Sequence, residues 1–376
     1  MEVLVDREIT GAEAIFGALG TVRLFDGRAL HRADMGAAEV LLVRSVTRVD
    51  AALLADSRVS FVGTATAGCD HLDLAWLRAA GISVADAAGC NARAVAEHVA
   101  CCLYRHAART ARPVGELRLG IVGYGHVGRA VAALADAIGV AWVANDPPLG
   151  RALADVPHGE LASLLEASDV VSLHVPLTQV GAYPTAGLID AAALARMRPG
   201  SLLINAARGG VVDEAALVAA VNDRPGIVAA LDCWEGEPRV ARETLAASWL
   251  ASPHIAGHTR EARLAASVRL AGALGIWAGR ELALPASLAG ELAVRLDAAG
   301  GVLGVLAQAH DLDGHTARMR ALGAARGARA ASFDADRRDY GVRREFARHA
   351  VACHGCNPDT VAELRALGFD CRDGSA

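Results

Sequence analysis

The sequence predicts an α/β chain with two doubly wound parallel sheets, one domain inserted into the other, and a small α+β domain at its C-terminal end. Three observations carry this reading. Short continuous apolar runs alternate with helix-patterned stretches from the N-terminus to about residue 258, as parallel strands buried on both faces do. The alternation starts afresh near Leu117, so there are two βα series. From about Gly290 the texture changes: Arg becomes frequent and the strand–helix alternation weakens.

In the first series, VLV at 3–5, VLLVRS at 40–45, VSFVGTAT at 59–66 and ISVADA at 82–87 read as strands. Helical stretches at 11–19, 50–55 and 72–80 separate them. Asn91 is a plausible N-cap for a long helix running to about Arg109. In the second series RLGIVG is a strand and 126–138 a helix. VAWVAND ending at Asp146, VVSLHVP at 170–176, SLLINAA at 201–207 and IVAALD at 227–232 continue as buried strands. Near the C-terminus, residues 357–368 suit a helix with Asn357 as cap and Pro358 at its first position. The domain bounds follow: 1–96 with 258–285 as an outer domain, 97–257 as the inserted domain, and 286–376 as the C-terminal one.

Composition removes several chemistries. The 376 residues contain no lysine; all 37 basic side chains are Arg. That excludes a Schiff-base lysine and the phosphate-binding lysines of nucleotide kinases and ATPases. A net charge of −5 gives no global basic field, which argues against a nucleic-acid partner. No signal peptide is visible, and no run of ~18 apolar residues free of polar groups suggests a membrane span. A cytoplasmic location and reduced thiols for the eight irregularly scattered Cys are the expectation. Cys353-His-Gly-Cys356 has metal-like spacing but lacks a second pair at zinc-site distance, so no metal is predicted. Cys101 and Cys102 read as core. The charged stretches RRDY at 337–340 and RREF at 343–346 suit either a solvated face or a subunit contact.

Gly123-Tyr-Gly125-His126-Val127-Gly128 is a G-x-G-x-x-G that follows a predicted strand and opens a predicted helix, the context a dinucleotide site needs. The first Gly allows a tight turn, the second lets a pyrophosphate approach the backbone, and the third lets helix and strand pack. Asp146 ends the next strand, where a carboxylate accepts from ribose hydroxyls and repels a 2′-phosphate. Pro147 and Pro148 follow it rather than Arg, so NAD is expected over NADP. The doubly wound domains are therefore Rossmann-like.

Oxidising a secondary alcohol with NAD needs a base for the hydroxyl proton, a cation for the substrate acid, and a partner for the base. NAARGGVVD at 205–213 carries Arg208 just beyond a strand. LDCWEGEP at 231–238 carries Glu237, and SPHIAGHT at 252–259 carries His254. A carboxylate beside an imidazole favours its protonated form and suits reversible acid–base work.

These segments together resemble the D-isomer-specific 2-hydroxyacid dehydrogenase superfamily. Within it, LVRSVT at 42–47, FVGTATAGCDH at 61–71, AGCN at 88–91, NDPP at 145–148, DCWEGEP at 232–238 and HIAGHT at 254–259 resemble the erythronate-4-phosphate dehydrogenases of vitamin B6 biosynthesis. FDADRRDY at 333–340 and RREF at 343–346 extend the likeness into the C-terminal region. The resemblance implies His254 as acid/base, Glu237 as its partner and Arg208 as the carboxylate-binding cation. It implies substrate contacts at Ser45, Thr66 and His258, with Arg44 a candidate phosphate clamp. It places Gly123, Gly125, His126, Val127, Gly128, Asp146, Val175, Ala206, Asp232 and Gly257 at the cofactor. The substrate would be a small phosphorylated 2-hydroxy acid, and the C-terminal domain would make a homodimer. The family usually has Tyr at the position of His258, and often Thr at that of Val175, where a cofactor contact would then use backbone groups. A dehydrogenase for another 2-hydroxy acid, or an NAD-sensing scaffold of the same fold, are the alternatives.

Overall fold

The computed structural model describes residues 1–223, 226–281, 294–324, 329–338, 340 and 343–372. They divide into two compact units: Met1–Asn91 with the helix after Thr259, and Ala92–His258 with the residues from Val294 on.

The first unit is a parallel sheet of β1 (Glu2–Asp6), β2 (Thr21–Phe25), β3 (Val40–Val43), β4 (Phe61–Thr64) and β5 (Ser83–Ala85), in the order β2-β1-β3-β4-β5. β1, β3 and β4 are almost wholly buried, as their apolar runs require. β2 went unread from the sequence because it is an edge strand, half exposed, without a continuous apolar run. The helix Arg260–Ala278 belongs to this unit. Thr259 caps it, its hydroxyl accepting from Ala262 N at 3.0 Å, and Leu270 and Leu274 pack against Val3, Val5 and Phe61.

The second unit holds β6 (Arg118–Val122), β7 (Ala141–Asn145), β8 (Val170–Leu173), β9 (Leu202–Asn205), β10 (Val228–Leu231) and the two-residue β11 (Leu250–Ala251). All are parallel, in the order β11-β10-β9-β8-β6-β7. The winding reverses between β6 and β8, and open α/β sheets bind ligands beyond the strand ends at such a reversal. Residues from Val294 add a second parallel sheet, β12 (Val294–Asp297), β13 (His349–Ala352) and β14 (Asp370–Arg372), in that order. Between the two sheets runs the helix Ala92–Thr110, buried along most of its length. Leu103 and Ala107 share one core with Leu119 and Leu134 on one side and with Leu306, Phe346 and Leu364 on the other. Asn91 precedes this helix, but its Oδ1 finds no hydrogen-bond partner among the described residues, so the expected side-chain cap does not form. Asn357 does cap its helix, accepting from Asp359 N at 2.9 Å. Among the described residues no helix is long and apolar enough to cross a membrane.

The second unit buries an unusual set of imidazoles. Burial pushes His98 down to about 4, His174 to about 3 and His315 to about 4, and His310 also lies well below the ordinary value. Each stays neutral when folded but takes a proton when unfolded. The unfolded state therefore binds more protons between about pH 6.5 and 4, and stability is lost as pH falls through that window. His98 and His174, both fully buried, each contribute roughly 3 kcal/mol to this loss. Glu97 works the other way: burial pushes its carboxyl up to about 7, against the pull of Arg343 and Arg93. Burial also raises Glu214, but two such carboxyls do not offset four imidazoles. Thermal unfolding followed from pH 7 to pH 4.5 is expected to show a midpoint that drops steeply below pH 6.5. A flat or rising midpoint would contradict the neutral burial of these side chains.

Candidate active site

The G-x-G-x-x-G turn joins β6 to the helix His126–Ala137. Gly123 has φ +93°, and a Cβ there would meet the His174 carbonyl oxygen at 2.6 Å and Val175 Cγ1 at 2.9 Å. A Cβ on Gly128 would run into the Gly123 carbonyl oxygen. Chain packing thus demands the first and third glycines. Gly125 differs: a Cβ there meets nothing within 4 Å. The protein leaves that space open, as a site for a close-lying phosphate requires. His126 and Val127 lie in the first helical turn, whose N–H groups have no side-chain cap. Asp146 stands just past β7, its Oδ2 accepting from Tyr124 N at 2.7 Å within the glycine turn. That ties the ribose-binding candidate to the phosphate-binding one. The residues present fit a dinucleotide.

Val175, Ala206 and Asp232 follow β8, β9 and β10 at the same edge of the sheet. Arg208 sits on a braced turn. The Asn205 side chain accepts from Ala207 N at 3.1 Å and donates to Arg208 O at 3.0 Å. Arg208 Nη1 donates to Ala207 O at 2.8 Å. A side chain on Gly209 would run into the Trp234 carbonyl, so the Arg208 turn and the 232–238 segment are packed backbone to backbone. Trp234 is buried, its Nε1 donating to Ser252 O at 2.9 Å and its N–H to Glu237 Oε1 at 2.8 Å. Glu214, buried, accepts from Glu235 N at 2.6 Å and steadies the same loop.

The other Glu237 oxygen, Oε2, lies 2.8 Å from His254 Nδ1, and both side chains are partly exposed. Engaging Nδ1 leaves Nε2 as the nitrogen that can exchange a proton with a substrate. His254 has φ +56°, a left-handed conformation that disfavours residues with a Cβ. The cause lies in Asp232, just beyond β10 and 1% exposed. His254 N donates to the Asp232 carbonyl at 2.8 Å. The next two N–H groups, Ile255 and Ala256, turn onto the Asp232 carboxylate at 2.8 and 2.9 Å, and Ser252 Oγ adds a bond of 2.6 Å. Converging N–H groups of this kind form an anion-binding nest. Burial opposes the charge on Asp232, but the imidazoles of His98 and His254, where protonated, and the donors Ser252 and Ala256 outweigh it and hold its carboxyl below the ordinary range. Gly257 and His258 follow directly, and His258 N closes a turn on Ile255 O at 2.9 Å.

Cys233 Sγ, Glu237 and His254 place donor atoms within 4.8 Å of one another, the one such group among the described residues. Glu237 and His254 are bonded to each other, and the Cys233 thiol donates to Ala207 O at 3.4 Å. Burial, with Asp232 and Glu237 nearby, pushes that thiol well above its ordinary value.

Arg44, Ser45 and Thr66 belong to the first unit. Arg44 Nε lies 3.1 Å from the buried Asp6 Oδ2. Ser45 is exposed beyond β3. The Thr66 hydroxyl bonds Gly68 O and Thr64 Oγ1 at 2.7 Å each, and Thr64 Oγ1 bonds His71 Nε2 at 2.9 Å. His71 and Thr64 give no sequence signal of their own, although both lie inside the 61–71 segment that carries the resemblance.

The chain is similar to known proteins over most of its length. Residues 89–256 match the family model for the D-isomer specific 2-hydroxyacid dehydrogenase, NAD binding domain. Erythronate-4-phosphate dehydrogenase of Azotobacter vinelandii is 41% identical, over 98% of this chain and all of that one. The enzyme of the same name from Edwardsiella ictaluri is 38% identical, over 99% of this chain and all of that one. The chain belongs to the erythronate-4-phosphate dehydrogenase family. In this family member the glycine turn and Asp146 lie within an NAD-binding domain. D-Lactate dehydrogenase of Aquifex aeolicus, solved with NAD and lactic acid, shares the fold with a TM-score of 0.61 and 23% identity, covering 74% of this chain and 96% of that one.

Glycine substitutions separate cofactor contact from chain packing. Gly125→Ala is expected to keep the melting temperature and to weaken NADH binding at least about tenfold, near 1.4 kcal/mol. Gly128→Ala is expected to destabilise the unit itself. Fluorescence titration of NADH beside thermal unfolding decides it; an unchanged NADH affinity in Gly125→Ala contradicts the phosphate assignment.

Proposed function

We propose that this chain oxidises 4-phospho-D-erythronate at C2 with NAD, giving 2-oxo-3-hydroxy-4-phosphobutanoate, a reaction of vitamin B6 biosynthesis. The observation that carries it is the Glu237–His254 pair at the carboxyl edge of an NAD-binding sheet, in a chain similar over its whole length to erythronate-4-phosphate dehydrogenases.

NAD, when bound, supplies the hydride acceptor. Gly123, Gly125, His126, Val127 and Gly128 would hold its phosphates and Asp146 its adenosine ribose. Val175, Ala206, Asp232 and Gly257 would lie along the rest of it. His254 takes the C2 hydroxyl proton on Nε2 as the carbonyl forms. Glu237 holds the proton on Nδ1 and stabilises the resulting imidazolium. Arg208 holds the substrate carboxylate and polarises the growing carbonyl. Ser45, Thr66 and His258 are assigned to the substrate, and Arg44 to its terminal phosphate. Arg44 is a guanidinium whose one described ion pair, to Asp6, leaves donors that a phosphate could use. The region 286–376 is assigned as the dimer-forming part, with 1–96 and 258–285 as the substrate domain and 97–257 as the NAD domain.

The test is purified protein with NAD, 4-phospho-D-erythronate and a 2-oxo acid acceptor, with product followed by mass spectrometry. The oxidised four-carbon phosphate is expected. His254→Ala is expected to lower kcat by about 10³ or more, and Glu237→Gln by about 10²–10³. Arg208→Lys should act mainly through KM and kcat together, since a point charge replaces a fork. Turnover of 3-phosphoglycerate or an unphosphorylated acid in place of the four-carbon phosphate overturns the substrate. Full activity in His254→Ala overturns the base.

A further inference from the structure

We propose that Arg343, from the segment leading into β13, is a positioning residue for the catalytic loop: its guanidinium fixes the Ala256 peptide and so the His254 backbone just before it. The role rests on the reading of His254 as the proton acceptor.

Arg343 is 5% exposed. Its Nη2 donates to Ala256 O at 2.9 Å and to Ala94 O, in the helix Ala92–Thr110, at 2.7 Å. Ala256 is thereby gripped from both sides. Its N–H is bonded to the Asp232 carboxylate and its carbonyl to Arg343. His254 lies two residues before this anchor, and Gly257 and His258 follow it. The first turns of the helix bind the same C-terminal segment again: Glu97 Oε1 accepts from Phe346 N at 2.9 Å and from Arg93 Nε at 2.9 Å, and Arg93 Nη2 donates to Leu367 O. Residues 343–346 and the loop 252–258 are thus referenced to one rigid helix.

Stability alone does not account for an arginine here. Its Nε and Nη1 are buried with no hydrogen-bond partner among the described residues. Leaving donors of a buried charged group unpaired is costly, and an apolar side chain of similar length would avoid that cost. What an apolar side chain could not do is donate to two carbonyls at once, as Nη2 does here. Glu97, fully buried, lies near enough that Arg343 draws its carboxyl down against the upward push of burial. The loop it serves contains a residue in the left-handed region, and such a conformation persists only where its surroundings over-determine it. The Asp232 nest and the Arg343 clamp together supply that over-determination.

The test uses the full-length chain with Arg343→Met, which keeps length and removes donors, and Arg343→Lys, which keeps the charge. Hydrogen exchange by mass spectrometry is the first readout. Amides of 254–258 are expected to exchange at least about tenfold faster in Arg343→Met, while those of β6, β8 and β9 stay as in the parent. The second readout is kinetic: kcat falls at least about thirtyfold with NADH affinity within about threefold, and Arg343→Lys recovers part of it. If Arg343→Met does not fold, Arg343→Lys is read by the same two measures, with smaller effects of the same kind. Unchanged exchange at 254–258, exchange raised evenly across the unit, or kcat within threefold of the parent would overturn the role. If the parent turns over no 4-phospho-D-erythronate, the proposed function fails, and the exchange pattern still decides Arg343.

Discussion

A carboxylate buried just past β10 organises the chemistry of the second unit. Asp232 accepts from the Ser252 hydroxyl and the Ile255 and Ala256 N–H groups, and its carbonyl accepts from His254 N. Those bonds force His254 into the left-handed region and direct its ring to Glu237. An ionised group without water around it must be satisfied by fixed donors, and here the donors come from the loop that holds the proposed base. The stability of the buried charge and the geometry of the acid–base pair are one constraint. A loop ordered this way is already arranged before any ligand binds, which is what the proposed proton transfer would need.

The remaining segments brace that arrangement from the neighbouring strand ends. Gly209 allows the Arg208 turn to lie directly on Trp234. Trp234 reaches across to Ser252 and back to Glu237. Arg208, Glu237 and His254, distant in sequence, are therefore linked through main-chain contacts of Asn205, Trp234 and Asp232. On the other side of the winding reversal, the glycine turn follows the same logic. Two glycines satisfy the packing of the protein, and one leaves open space.

Much of this was legible in the sequence. The buried parallel strands announce themselves as apolar runs such as VLLV and LLIN, and the motif residues fall just beyond strand ends where the fold puts ligands. What escaped the sequence has physical reasons. β2 is an edge strand whose half-exposed residues lack the apolar run that marks its neighbours. β11 is too short for periodicity to register. In the sequence Asp232 is only a cofactor contact that the resemblance implies; its hold on the 252–256 loop is hidden there, because spacing does not tell which way a carboxylate faces. Arg343 lies in a charged stretch that suits a solvated face, and only the tertiary packing shows its guanidinium enclosed. His98 and His174 look like ordinary histidines until their burial is known.

The central claim, that one buried carboxylate sets the geometry of the proton acceptor, is tested most directly by Asp232→Asn. The side chain keeps its shape, but one oxygen becomes an amide that faces an N–H or hydroxyl donor, a mismatch of about 1–3 kcal/mol in a buried site. Steady-state turnover with 4-phospho-D-erythronate, beside circular dichroism to confirm folding, reads the result. The account predicts a folded protein whose kcat falls about a hundredfold or more. A folded Asp232→Asn protein with kcat near that of the parent would contradict it.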